Sequence, residues 1–254
     1  MELEEMVKGV QRTMVFGDIH VPYHDENAVK VTLNYLKKYK PHNVVVNADL
    51  VDFYALSEFD KNPNRKANVQ QELDLANGIL RDVRKAAGKE AKIYLTYGNH
   101  EARLQRYLWK NPELECVRDL KLEKQLSLKE LDIKFINGSM DYWKQTSGHL
   151  KIGDAAVMHG DQRINGSRGG AKAGYAAMNT MLQMQTSVVM GHVHRLGIVY
   201  HNSPYQQMVG VEAGCLCEIP PGANWQQGFA TFDTVRNKNV NYRLHHIKDG
   251  KLNE

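Results

Sequence analysis

The chain has 254 residues, 42% of them hydrophobic and 24% charged, which suits one globular domain with a sizeable core and excludes a low-complexity polymer. Lysine and arginine number 33 against 29 acids, a net charge of +4 that is too mild to indicate a polyanionic partner by itself. No apolar run approaches the roughly 18 residues that span a bilayer, and the amino end is acidic where a signal peptide is basic and then apolar, so a cytoplasmic protein without membrane contact is expected.

The first half alternates strand and helix. Apolar runs predict strands at Thr13–Phe16, Asn43–Asn47 and Ala91–Tyr97, and helices lie between them at Asn27–Tyr39 and Val69–Ala87. In the second helix Leu73, Ala76, Leu80 and Val83 share a face, and Gly88 is placed to stop it. This βαβ pattern implies a largely parallel, right-handed arrangement. Residues 101 to about 131 read as helical and charged, with Leu104, Tyr107 and Leu108 as an inward stripe; a cap-like insertion over the cleft and a solvated spacer are both open readings. After Asp132 the chain turns β-rich, with strands at Ile198–Asn202, Gln206–Val211, Phe229–Asp233 and Val240–His245. A small-residue helix near Gly170–Gln185 interrupts them. No repeat or linker divides residues 1–254, so a single domain is expected.

Five clusters of Asp, Asn and His follow in order: Asp18 with His20, Asp49 with Asp52, Asn99 with His100, His159, and His192 with His194. Each sits just past an apolar run, where open α/β sheets gather their sites. A lone Asp-x-His is weak in a chain with 11 histidines, and five in order are not. Oxygen and imidazole donors without thiolate suit hard or borderline divalent ions, and clusters from distant segments can hold two ions bridged by one carboxylate. The three cysteines cannot form a disulfide framework; Cys215 and Cys217, two apart in a strand, read as buried thiols, since the pair is only half of a soft-metal site.

The order of the five motifs, covering Asp18 to His194, resembles the calcineurin-like metallophosphoesterase superfamily. The resemblance implies a four-layer α/β/β/α sandwich of two mixed sheets. It also implies one divalent ion on Asp18, His20 and His194 and a second on Asn99, His159 and His192, with Asp49 bridging. Mn2+ is expected first, with Fe, Zn, Ni or Mg as alternatives. His100 takes the role of general acid or leaving-oxygen stabiliser and Asp52 that of its orienting carboxylate; a carboxylate there would raise the imidazole pKa. Asp52 is also readable as a helix cap, and the roles are compatible. Ala48 stands where most members have Gly, so its turn either avoids positive φ or accepts strain of about 1 kcal/mol or more. Val193 replaces a common Thr.

Phosphoprotein phosphatases of this superfamily carry Arg-Gly after the equivalent of Asp52, and the Arg grips a monoester. Phe53 cannot, which favours diesters or nucleotides. Asp25, Phe53 with Tyr54, Asp60–Pro63, the 101–131 insert and Asn224–Gly228 resemble a branch often encoded by phages and prophages, placing the protein in a bacterial or phage-infected cytoplasm.

Between Gln162 and Val211 there is no acid, while Arg163, Arg168, Lys172 and Arg195 fall there, so a positive field beside the ions is expected. Arg163, Arg168 and Lys172, in or after a glycine-rich loop, and Arg103 are candidate contacts for substrate phosphates, and DNA or RNA is a candidate substrate; a mobile loop and solvated helix charges are the plainer readings. Three functions stay open: a binuclear phosphodiesterase acting on nucleic acid or nucleotides, a phosphomonoesterase of small nucleotides or metabolites, and a catalytically silent interaction scaffold. Oligomeric state has no sequence correlate here.

Overall fold

Period-two alternation in the strands sorts their side chains into separate apolar layers. In β1 (Gln11–Phe16) Met14 and Phe16 face one way and Val15 the other; in β2 (Asn43–Val46) Val44 and Val46 split from Val45 in the same manner. The computed structural model describes residues 9–253 apart from 63, 64, 66, 67, 138, 142, 143, 147 and 162–171.

These two strands join β3 (Lys92–Thr96) and β4 (Ile133–Ile136) in parallel. On the other side β12 (Gln227–Val235), β13 (Lys238–Lys248) and β14 (Lys251–Asn253) add antiparallel, giving a seven-stranded sheet ordered β14-β13-β12-β1-β2-β3-β4. The second sheet has five strands, built from β7 (Leu150–Ile152), β8 (Ala155–Met158), β9 (Ser187–Met190), β10 (Leu196–Asn202) and β11 (Gln207–Ala213) in the order β10-β11-β9-β8-β7. Its three central strands are parallel and its edges antiparallel. A short hairpin of β5 (Ser139–Asp141) and β6 (Lys144–Thr146) stands apart.

Three apolar clusters fill the spaces between four layers. Val15, Val45, Val157, Val189 and Phe232 from both sheets meet face to face in the middle. The outer face of the first sheet packs against α1 (Glu26–Tyr39) and α2 (Val69–Ala87) through Leu36, Leu73, Leu80 and Val83. The outer face of the second, with Ala156, Met158, Val188 and Met190, packs against Ala177 and Met181 of α5 (Tyr175–Met184). This is the expected α/β/β/α sandwich. Asp25 caps α1 by accepting from the Ala28 amide at 2.9 Å, and Asn68 caps α2. Gly88 ends α2 at φ +82°.

The 101–131 segment is not one helix. It holds α3 (Glu101–Lys110), two single 3-10 turns and the four-residue α4 (Leu122–Gln125). Leu104, Leu108, Leu122, Leu126 and Leu131 join the first apolar layer. Tyr107, expected on the inward stripe, is 43% exposed, because only Leu104 and Leu108 of that stripe, four residues apart, turn toward the layer. Among the described residues no helix is long and apolar enough to cross a membrane.

Candidate metal centre

Asp18, Asp49 and Asn99 follow β1, β2 and β3, and His159 and His192 follow β8 and β9, so the carboxyl ends of five parallel-running strands converge. Placing them there demands unusual backbone. Asp18, His20, Asp49, His192 and His194 all have φ between +45° and +66°. Ala48 adopts φ +58°, so the turn does need positive φ and carries the strain that Gly would avoid. The turns are locked to one another: the Asp18 amide donates to the Ala48 carbonyl at 3.1 Å, and the Ile19 and His20 amides both donate to that of Asp49 at 2.9 Å. Gly98 and Gly191 are required by close approach, since a Cβ on either would collide with the carboxylate of Asp49 or Asp18 respectively.

Two groups of donors result. In one, His194 Nε2 lies 3.1 Å from both Asp18 Oδ1 and His20 Nε2. In the other, His159 Nε2 lies 3.1 Å from both Asp49 Oδ2 and Asn99 Oδ1 and 3.3 Å from His192 Nδ1. Asp49 Oδ2 is also 3.7 Å from His20 Nε2, so this carboxylate stands between the groups. Donors that bind one cation at about 2.0–2.2 Å are about 3.0–3.4 Å apart, the spacing seen here, and imidazole nitrogens have little reason to face each other otherwise. The donor set therefore fits divalent ions. All seven residues carried over from the resemblance as ligands fall in this cluster.

Charge agrees with crowding. Burial would raise the Asp49 carboxyl, but His159, His100 and His20 hold it well below its ordinary range. Burial would lower His194, and Asp18 instead drives it up to about 10.

His100 and Asp52 differ from expectation in detail. The Asp52 carboxylate is shared, with Oδ2 at 3.3 Å from His20 Nδ1 and 3.4 Å from His100 Nδ1, and Oδ1 at 3.2 Å from Arg103. The closest acceptor for His100 Nδ1 is the Asp52 backbone carbonyl at 2.9 Å. Burial, helped by the nearby His20 and Arg103 charges, pushes the His100 pKa down to about 4 against the pull of Asp49 and the weaker pull of the divided Asp52 carboxylate, so the expected rise does not occur. Arg103 is not a solvated helix charge. Its side chain is 15% exposed and lies 3.3 Å from His100 Nε2.

Other cations part from the expected field. Arg195 reaches the buried Glu212 carboxylate at 3.5 Å, so its charge is paired by an acid one residue beyond the acid-free stretch. Glu212 also caps α5 by accepting from the Ala176 and Ala177 amides. Lys172 lies over the Tyr175 ring, 5.7 Å from its centre, and does not line the cleft above the cluster. Arg163 and Arg168 lie outside the described residues. Phe53 is fully buried in the first apolar layer at φ +50°.

Sequence reasoning missed several supports. Glu101 is 1% exposed and accepts from the amides of Asp49, Leu50 and Gly98 at 3.0, 2.8 and 3.0 Å, which holds the turn that carries Asp49. Burial and the neighbouring Asp49 charge push its pKa up to about 7. Asn47 donates to the Met158 carbonyl at 2.8 Å and accepts from Thr96 at 2.9 Å, pinning both sheets together beneath the cluster. Cys217, read as a core thiol, is buried and sits 3.8 Å from His194 Nδ1. Its position directly after the Asn99-His100 pair is the one clue that Glu101 offered in the sequence.

Fold and cluster together define a metal-binding α/β/β/α protein. The profile of the family described as calcineurin-like phosphoesterase matches residues 11–196, and the chain belongs to that family. Gene 54 protein of Mycobacterium phage L5 is 26% identical over 258 residues, covering 95% of this chain and 96% of its own. Its counterpart in phage D29 is 26% identical over 256 residues with the same coverage. Among solved structures, a metallophosphoesterase from Sphaerobacter thermophilus is 15% identical with a TM-score of 0.48, covering 94% of this chain and 89% of that one. Vps29 of Entamoeba histolytica, complexed with zinc, is 15% identical with a TM-score of 0.48 over 96% of each chain.

Proposed function

We propose that the protein is a phosphoesterase that works with two divalent ions, Mn2+ first among them, and cleaves phosphodiesters of nucleotides or nucleic acid. The observation that carries this reading is the placement of Asp49 between two imidazole-bearing groups. Asp18, His20 and His194 would hold one ion and Asn99, His159 and His192 the other. Bound ions supply Lewis-acid charge for the phosphoryl oxygens and lower the pKa of water toward neutrality.

His100 handles the leaving group. Its Nδ1–H donates to the Asp52 carbonyl, which leaves the Nε2 lone pair at the cleft wall to accept from Arg103 at 3.3 Å. At rest the ring is neutral, because burial and Arg103 disfavour the cation. An arriving phosphate would supply the missing negative charge and draw the Arg103 guanidinium to itself, so that Nε2 would take up a proton from solvent as substrate binds and pass it to the departing oxygen. His100→Gln should keep its metal and lose roughly 10²–10⁴-fold in kcat on a poor leaving group, with a smaller defect on an activated aryl ester. Equal defects on both would assign His100 to phosphate binding alone.

Phe53, sealed in the core, offers no grip on a monoester, which supports the diester reading. The deciding experiment compares an aryl phosphodiester with the matching monoester on Mn2+-loaded protein. Higher kcat/KM on the diester is expected, and a monoester preference replaces this proposal with a nucleotide or metabolite phosphatase. The phage relatives suit a role in a bacterial or phage-infected cell.

A further inference from the structure

The cleft above the cluster encloses about 550 Å3, within the size range of sites for whole small molecules and larger than a phosphoryl group needs. Its inner end is His20, Asp49, Asn99 and His192. Its outer end includes Tyr23, Arg65, Ile219, Pro220, Pro221 and Trp225, with Glu218 beside them, and the side chains of Ile219, Pro220 and Pro221 offer no hydrogen bond to a phosphate. Ile219 is 41% exposed there, two residues after Cys217, which lies 3.8 Å from His194. Two aromatic features flank this outer end. The Arg65 guanidinium is held 4.8 Å from the ring centre of Tyr23 and 5.0 Å from that of Tyr54, and the Trp225 ring is set edge to face against His194 at 4.1 Å.

From this juxtaposition of a phosphate-binding inner end with a guanidinium and aromatic outer end, we infer that the outer end is a base-binding subsite, taking the planar heteroaromatic base of the nucleotide whose phosphate lies on the metals. The inference rests on the phosphoesterase reading and adds the side chains that would hold the base. The chemistry is complementary at both ends. Bases stack on aromatic side chains and on guanidinium planes whatever their identity, and a cation in the same wall suits the nucleotide's negative charge. Arg65 and Tyr54 belong to the segment after Asp52, where Phe53 has turned into the core, so the cation facing the substrate comes from further along the chain and through an aromatic bracket. Gln227, in the segment that presents Trp225, donates to Asp25 at 3.0 Å, which ties that segment to the start of α1.

The test uses two diesters with one leaving group, p-nitrophenyl thymidine 5′-phosphate and methyl p-nitrophenyl phosphate, on Mn2+-loaded full-length protein. The nucleoside ester should be preferred by about tenfold in kcat/KM, and both Trp225→Ala and Arg65→Ala should bring the ratio toward one. Using the ratio cancels any loss of metal in Trp225→Ala, which touches His194; Arg65 touches no proposed ligand. A ratio near one in the unaltered protein, or a preference unmoved in both variants, overturns the subsite. If neither ester is cleaved, the phosphoesterase reading fails, and calorimetric titration with thymidine 5′-monophosphate against methyl phosphate judges the subsite alone. Binding about tenfold tighter for the nucleotide, lost in Trp225→Ala, upholds it, and equal binding sinks it.

Discussion

The two sheets contribute to the cluster in different ways. The first brings the acids, Asp18 and Asp49, on turns secured by backbone hydrogen bonds and by Glu101. The second brings His159, His192 and His194, and these lean on the first sheet's acids: the His192 amide donates to both Asp18 oxygens at 3.0 Å, His194 pairs with Asp18 and His159 with Asp49. The second-sheet loops have backbone bonds of their own, such as the Gly191 amide to the His159 carbonyl at 2.9 Å, but their imidazoles are set by the first sheet's carboxylates. The asymmetry teaches that Asp18 is a scaffold for a distant loop as well as a candidate ligand.

The largest expected effect tests that dependence. Asp18→Ala should strip metal and also loosen the Gly191–His194 loop in metal-free protein, whereas His192→Ala should leave the Asp18–His20 turn intact. Amide hydrogen exchange of both segments reads the difference; equal loosening in both variants would erase the asymmetry.

Next in size is Glu101→Gln, which leaves at least one of the three amides it serves without an acceptor. A stability loss of about 1–3 kcal/mol in denaturant titration, together with metal affinity weaker by about 10–100-fold, is expected. Unchanged metal affinity would mean that the Asp49 turn holds itself.

A third effect appears as a pH slope. Glu72 is buried, accepts from the Phe53 amide, and is pushed by burial from 4.5 up to about 7. A carboxyl raised on folding contributes stability that is complete below its unfolded pKa and is lost as pH climbs through the folded one. Stability should therefore decline between about pH 4.5 and pH 7. Glu101 is raised to the same value and contributes in the same window, so Glu72→Gln should reduce the decline without abolishing it, as followed by thermal melts. A slope unchanged from the unaltered protein assigns it to groups other than Glu72.

The smallest effect concerns strain in the first sheet's half of the site. Ala48→Gly relieves positive φ but frees the unfolded chain, so the gain should be at most about 1 kcal/mol, with no change in metal content. A clear destabilisation would show that the buried methyl packs too well to lose.

Much of this was legible in the sequence because strand ends and ligands coincide. Short apolar runs marked β1, β2, β3, β8 and β9, and a candidate ligand lies one to three residues past the end of each. What stayed hidden depends on contacts between distant segments. Glu72 and Glu101 look like ordinary first-turn helix acids, and only the packing of α2 and α3 against the Asp49–Phe53 turn buries them. Arg195 looked free because its partner Glu212 sits on the adjacent antiparallel strand. Arg65 announced nothing until Tyr23 and Tyr54 were brought beside it.

The His20 and His194 rings touch across 174 residues of chain. Closing so long a loop costs more chain entropy than a local contact does, so the pair depends on both sheets being in place. A nascent chain that has emerged only as far as β7 already carries Asp18, His20, Asp49 and Asn99 but none of His159, His192 or His194. Such a chain holds four of the seven candidate ligands, and the pairings of His194 with Asp18 and of His159 with Asp49 await the second sheet.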